Sequence, residues 1–265
     1  MTTGRLIDLH CHLLPGVDDG AGDTLEALAL ARAAADDGIG FAMLTPHIHP
    51  GRYHHDIHML TAVFRQFSSA VRRTGIPLRL GLAAEVRLTD ELPAQIRNRQ
   101  VPYLGRWDGE RVLLLELPHS HIPPGTEALL RWLRRGGVRP MIAHPERNRD
   151  ILRKLEKIDP LLEAGCLLQV TAGSLCGRFG ERAERRARQL LKRGAVTVLA
   201  TDAHHPVRRP PLLEEGRVVA EKLVGAEQAR LLVYDNPAKI LSYGQARARP
   251  AAPARFPGRP HPVPA

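Results

Sequence analysis

Seven short apolar runs, each followed by a helical stretch and a Gly or Pro break, constrain this chain more than any other feature of its 265 residues. The runs fall at 6–9, 39–44, 78–82, 112–117, 140–143, 167–170 and 196–200. Runs of this length, rich in Val, Ile and Leu, read as buried strands, and the segments between them are long enough for crossover helices. Asp23 with Glu26 forms a capping-box-like start to the first helix, and Gly38, Gly136, Gly165 and Gly194 stop helices just before the next run. The expectation is an α/β fold with parallel strands, closed or nearly closed like a (β/α) barrel, with an open doubly wound sheet as the structural alternative.

The repeating pattern ends near residue 245. The domain is therefore expected over 1–245, and the Pro-, Ala- and Arg-rich stretch 246–265 is expected to be a disordered tail, because it offers nothing to build a core from. No apolar run approaches the ~20 residues of a membrane helix, so no membrane insertion is expected. Leu6 follows too closely on Met1 to leave room for the apolar segment of a secretory signal, and a cytoplasmic location is expected.

Three cysteines (Cys11, Cys166, Cys176) without C-x-x-C spacing fit neither a disulfide framework nor a zinc ribbon. The net charge of +10 raises nucleic acid as a partner, but the charge is dispersed and aromatic residues are few, so no nucleic-acid partner is expected. A field of that sign suits the capture of phosphorylated substrates, and salt would weaken it. Nothing in the helical faces indicates an oligomeric state.

The chemistry is written at the strand ends. His10 and His12, then Asp18 and Asp19, follow the first run, and His47 follows the second. Glu85 follows the third, Glu116 closes the fourth, His144 follows the fifth, and Asp202 and His204 follow the seventh. In a parallel barrel these ends share one face, so residues far apart in sequence converge there. Alternation along a strand puts the rings of His10 and His12 on the same side. Imidazoles mixed with carboxylates suit manganese, zinc or iron. With one of Asp18 and Asp19 counted, nine donors are too many for one four-coordinate ion, so two or three ions with bridging Glu85 or Glu116 are expected, chemistry suited to hydrolysis of a phosphoester. Arg147, three residues past His144, can fork onto a phosphate oxygen. His49, His54, His55 and His58 are expected in a mobile flap beside the site, and His119 and His121 in a loop.

The stretches Ile7-Asp8-Leu9-His10-Cys11-His12-Leu13-Leu14-Pro15-Gly16-Val17-Asp18-Asp19-Gly20, Thr45-Pro46-His47, His144-Pro145-Glu146-Arg147-Asn148 and Thr201-Asp202-Ala203-His204 resemble the PHP superfamily, and within it the CpsB/CapC-type bacterial tyrosine-protein phosphatases. The resemblance runs from about residue 5 to 242. It implies a distorted (β/α)7 TIM-like barrel and a trinuclear centre, usually activated by Mn2+, with Zn2+, Fe2+ or Co2+ as other ions the donors accept. It also implies a phosphotyrosine protein as substrate, a bacterial tyrosine kinase controlling capsule or exopolysaccharide assembly. The metal ligands it implies are His10, His12, Asp19, His47, Glu85, Glu116, His144, Asp202 and His204, with Arg147 and Arg209 holding phosphate. Asp19 over Asp18, and Arg209 over Arg208, rest on the resemblance alone.

Four rival readings compete with it. Cys176 and Arg182 satisfy the C-x5-R spacing of cysteine-dependent phosphatases, but no His precedes Cys176 and Ala183 stands where Ser or Thr is usual. A PHP-type histidinol-phosphate phosphatase keeps the metals and changes the substrate. An amidohydrolase would need a carbamylated lysine, and none of Lys154, Lys157, Lys192, Lys222 and Lys239 sits at an expected strand end. A metal-bearing scaffold without turnover would show a missing ligand, and none is missing.

Overall fold

The computed structural model describes residues 5–242 of the chain. The expected tail, 246–265, lies outside the described residues. Among the described residues ten strands are present: β1 (Leu6–Cys11), β2 (Ile39–Leu44), β3 (His47–Ile48), β4 (Arg79–Leu82), β5 (Glu85–Arg87), β6 (Gly105–Trp107), β7 (Glu110–Glu116), β8 (Val138–Ala143), β9 (Leu167–Thr171) and β10 (Val198–Ala200). They form a three-stranded sheet in the order β1-β2-β4 and a larger sheet in the order β10-β9-β8-β7-β5-β3, with β6 attached to β7. Every pairing is parallel except β6 with β7.

All seven expected strands are present, and three more appear. Strands β3 and β5 resume the lines of β2 and β4 after breaks at Thr45-Pro46 and Ala83-Ala84. Hydrogen bonds carry the ladder across these breaks: Thr45 N donates to Cys11 O, Ala83 N to Leu44 O, and Glu85 N to Pro46 O. Pieces of two or three residues have no period to read, which is why the sequence hides them. β6 is a hairpin arm turned by Asp108-Gly109, whose positive φ values of 49° and 88° are those of a type I′ turn. The ends of β1 and β10 also meet: His12 N donates to Ala203 O at 2.8 Å and Asp202 N to His10 O at 2.7 Å.

Alternation divides the core into two layers. Ile7, Leu9, Val112, Leu114, Met141, Ala143, Leu167 and Val198 pack together on one side of the strands, and the helix Asn236–Ser242 adds Ile240 to them. The opposite faces, with Leu113, Leu115, Ile142 and Leu168, pack under the surrounding helices. Gly105 makes the seal with the last helix, because a Cβ there would lie 2.1 Å from the Ile240 carbonyl oxygen. Asp23 caps the helix Thr24–Asp36 by accepting from Glu26 N at 2.9 Å, while Glu26 reaches back to Gly22 N.

Candidate metal centre and phosphate site

The strand ends deliver the expected donors to one place. The rings of His10 and His12 lie on the same side, their Nε2 atoms 3.2 Å apart. Glu85, fully buried as the first residue of β5, is the hub. Its Oε2 lies 3.3 Å from His10 Nε2, 3.4 Å from His12 Nε2 and 3.1 Å from His47 Nδ1, and its Oε1 lies 2.7 Å from His144 Nε2. Asp202 Oδ1 also faces these two rings, 3.3 Å from His10 Nε2 and 3.5 Å from His12 Nε2.

Four overlapping groups could each hold an ion: His12, Asp19, His47 and His204; His10, His12 and Asp202; His10, Glu85 and His144; and His47, Glu85 and Glu116. Their union is the nine expected donors. Asp19 Oδ1 lies 3.3 Å from His47 Nε2 and 3.6 Å from His204 Nε2. Asp18 has a different task, which separates two neighbours that the residues alone could not. It accepts from His47 N and Gly20 N and holds His12 Nδ1 at 2.7 Å, fixing which nitrogen of that ring faces the centre. Gly20 lets the loop lie against His12, since a Cβ there would fall 2.1 Å from the His12 carbonyl oxygen.

Two candidate donors occupy strained backbone. His144 and Asp202 follow β8 and β10 with φ of 33° and 53°, a left-handed conformation costing a non-glycine residue about 1–3 kcal/mol. Neighbouring contacts hold them there. Gln169, buried on β9, accepts from His144 N and lies 2.8 Å from His10 Nδ1. Buried Asp8 accepts from His10 N, Thr201 N and Thr201 Oγ1, and burial lifts its pKa to about 6. A lone Gln within an apolar strand and the Asp two residues before His10 were the sequence signals for these supports.

The residues fit cations. At the centre, buried Glu85 Oε2, Asp202 Oδ1 and His47 Nδ1 make no hydrogen bond, leaving lone pairs that a cation would satisfy. Burial and then the His12 charge press His204 down to about 4, and burial with Arg147 presses His144 down to about 3, so both rings are neutral and able to ligate. Burial is the largest influence on His10 and His47 and opposes their protonation, yet the surrounding carboxylates together outweigh it and raise both: Glu85 with Asp202 at His10, and Glu85 with Asp19 and Glu116 at His47. Protons there balance charge that metal ions would otherwise balance. Hydrogen bonds from His204 and His47 hold the Asp19 carboxyl far below its usual range.

Arg147 and Arg209 both pair with Oδ2 of Asp202. Arg147 leaves the turn Pro145–Arg147, and Arg209 leaves the loop after β10. Both Nε atoms are buried without a hydrogen-bond partner. Arg208 instead donates its backbone N to His205 Nδ1. The two arginines line one cleft with Asp19, His47, Glu85, Glu116, His144, Asp202 and His204. Glu116 is held at 2.9 Å by Arg87, which the sequence reading did not single out.

Of the other histidines, His49 and His119 line the cleft, and the remaining ones join no candidate metal group among the described residues. His119 stands edge-on to His144 at 5.6 Å. His55 bonds the Val17 carbonyl, and His54 and His58 are exposed. Cys176 lies outside the cleft. Burial and then Glu215 push its thiol up to about 11, the opposite of an activated nucleophile. No lysine among the described residues lines the cleft.

Comparison with known proteins places this geometry. The family model described as "Capsular polysaccharide synthesis, CpsB/CapC" matches residues 6–242. The tyrosine-protein phosphatase YwqE of Bacillus subtilis is 34% identical over 227 residues, covering 86% of this chain and 88% of that protein. The putative tyrosine-protein phosphatase CapC of Staphylococcus aureus is 32% identical, covering 79% and 81%. A crystal structure from work on YwqE of Bacillus subtilis and CpsB of Streptococcus pneumoniae, described as unique metal-dependent tyrosine phosphatases, superposes with a TM-score of 0.84 at 32% identity, over 94% of this chain and 99% of that one. At 12% identity, dihydropyrimidinase from Brevibacillus agri shares the fold alone, with a TM-score of 0.52. With nearly all of the described chain matched, and the donor cluster assembled on its strand ends, this protein belongs to the CpsB/CapC family.

Proposed function

We propose that this protein is a metal-dependent protein-tyrosine phosphatase, acting in the cytoplasm on a bacterial tyrosine kinase that controls capsule or exopolysaccharide assembly. Its cofactor is two or three Mn2+ ions held by His10, His12, Asp19, His47, Glu85, Glu116, His144, Asp202 and His204. The observation carrying this reading is the joining of four overlapping donor groups with two arginines in one cleft. The named relatives support phosphotyrosine as the substrate class. The fold is read as a distorted (β/α)7 barrel of about residues 1–245, in which β2 with β3, and β4 with β5, each make one stave. The bonds between the ends of β1 and β10 support closure.

Bound metal ions supply Lewis-acid charge and an acidified water for hydrolysis of a phosphate monoester. The protein does the rest. Arg147 and Arg209 present buried, unpaired Nε donors to the phosphoryl oxygens and exchange their hold on Asp202 for it. Asp18 and Gln169 keep the rings of His12 and His10 turned toward the centre. A phenol with a pKa of roughly 10 leaves without a dedicated acid, and the cleft needs none. A phosphotyrosine peptide should be hydrolysed with far higher kcat/KM than histidinol phosphate. The reverse preference would move the assignment to a small-molecule phosphatase.

Asp18→Asn removes the anion that orients His12. It should weaken Mn2+ binding by roughly 10–100-fold with the fold intact, measured by metal titration. Cys176→Ser should leave turnover within about twofold, because a thiol pushed up to about 11 is almost wholly protonated at neutral pH. Its alkylation by iodoacetamide should accelerate with pH up to that value, as the thiolate appears. Loss of activity in Cys176→Ser would overturn the metal mechanism.

A further inference from the structure

We infer that Phe179 is the positioning residue of the phosphate clamp, a single aromatic ring against which the guanidinium groups of both Arg147 and Arg209 rest. The guanidinium carbons lie 4.7 Å and 5.5 Å from its ring centroid, both within cation–π range. The two arginines come from the segments after β8 and β10, and Phe179 comes from the segment after β9. Among the described residues, β9 is the stave whose end supplies none of the nine candidate metal donors. It supplies the platform instead.

The turn carrying the ring is built for the purpose. Arg178 N donates to Gly173 O and Gly180 N to Gly177 O, each at 3.0 Å, and Gly177 and Gly180 take positive φ of 78° and 84° on either side. A Cβ on Gly173 would come 3.2 Å from Phe179 Cε2, so the missing side chain leaves the ring its place.

The physical need is specific. Asp202 Oδ2 draws both cations to one point, and that same carboxylate belongs to a candidate metal group. When phosphate takes the arginines from Asp202, the ring is the contact that still fixes where the two guanidiniums lie. A neutral π face does this without competing for their charge, whereas a carboxylate there would bind them and repel phosphate. Phe179 touches no reacting atom in this account, and its effect passes through the arginines.

The inference rests on the phosphatase reading for its meaning in catalysis, but binding of inorganic phosphate tests it separately. Phe179→Leu keeps apolar bulk and loses the π face, and pentafluorophenylalanine at position 179 keeps the shape and reverses the charge of the face. With Mn2+-loaded protein, both should weaken phosphate binding, measured by calorimetry, by about tenfold. KM for a phosphotyrosine peptide should rise in parallel and kcat should change less, while Phe179→Tyr should bind phosphate like the wild type. Wild-type phosphate affinity in the pentafluoro protein would overturn the inference, as would a Tyr variant as weak as Leu. Absence of phosphotyrosine hydrolysis in the wild type would instead count against the phosphatase reading, with the phosphate-binding comparison still deciding the role of Phe179.

Discussion

Glu85→Gln will lower phosphate release from a phosphotyrosine peptide by roughly three orders of magnitude or more, the largest loss expected of any single conservative change in this protein. Glu85 belongs to two of the four donor groups and lies within 3.4 Å of His10, His12, His47 and His144. Gln has the same shape but lacks the charge, and it places a donor where lone pairs are needed. Loss of an outer support would cost only about 10–100-fold. Steady-state kinetics at saturating Mn2+, with circular dichroism to establish folding, measures the effect. A folded Glu85→Gln protein within tenfold of the wild type would show that the hub is structural.

Arg147→Lys is the second large loss, a fall in kcat/KM on the order of 10²-fold, with metal content unchanged. Lysine keeps the charge but gives up the planar fork that pairs with Asp202 and lies over Phe179. The loss should appear in inorganic phosphate affinity as well as turnover. Metal content separates this outcome from that of Glu85→Gln: the arginine change should leave the bound ions in place, and the glutamate change should release at least one.

The candidate donors were legible because a His or carboxylate directly after an apolar run is visible at single positions, and a parallel fold gathers those positions on one face. His10, His47, Glu85 and Asp202 needed no finer knowledge of the fold to be found together. The strands holding two of them were not legible. β3 and β5 begin at His47 and Glu85 themselves, and their few residues pair through a ladder that only tertiary structure defines. The antiparallel arm β6 carried a readable signal in Asp108-Gly109 that the strand-then-helix rhythm masked.

Supporting residues were less legible than ligands for a related reason. Asp18 and Asp19 are equivalent in sequence, and they diverge only because one reaches His12 Nδ1 and the other faces His47 and His204. Gln169 could have been suspected as a lone amide in a buried strand, while Phe179 lies in a turn whose composition resembles any other. Its place under two arginines from different strand ends is a property of the assembled tertiary structure, not of the local chain.

The most direct test of the central claim is phosphate release from a phosphotyrosine peptide by protein stripped with chelator and then resupplied with Mn2+. Release should vanish on stripping, return with two or three equivalents of Mn2+, and fail to return in Glu85→Gln. Release that persists in folded protein shown by elemental analysis to be metal-free would contradict it.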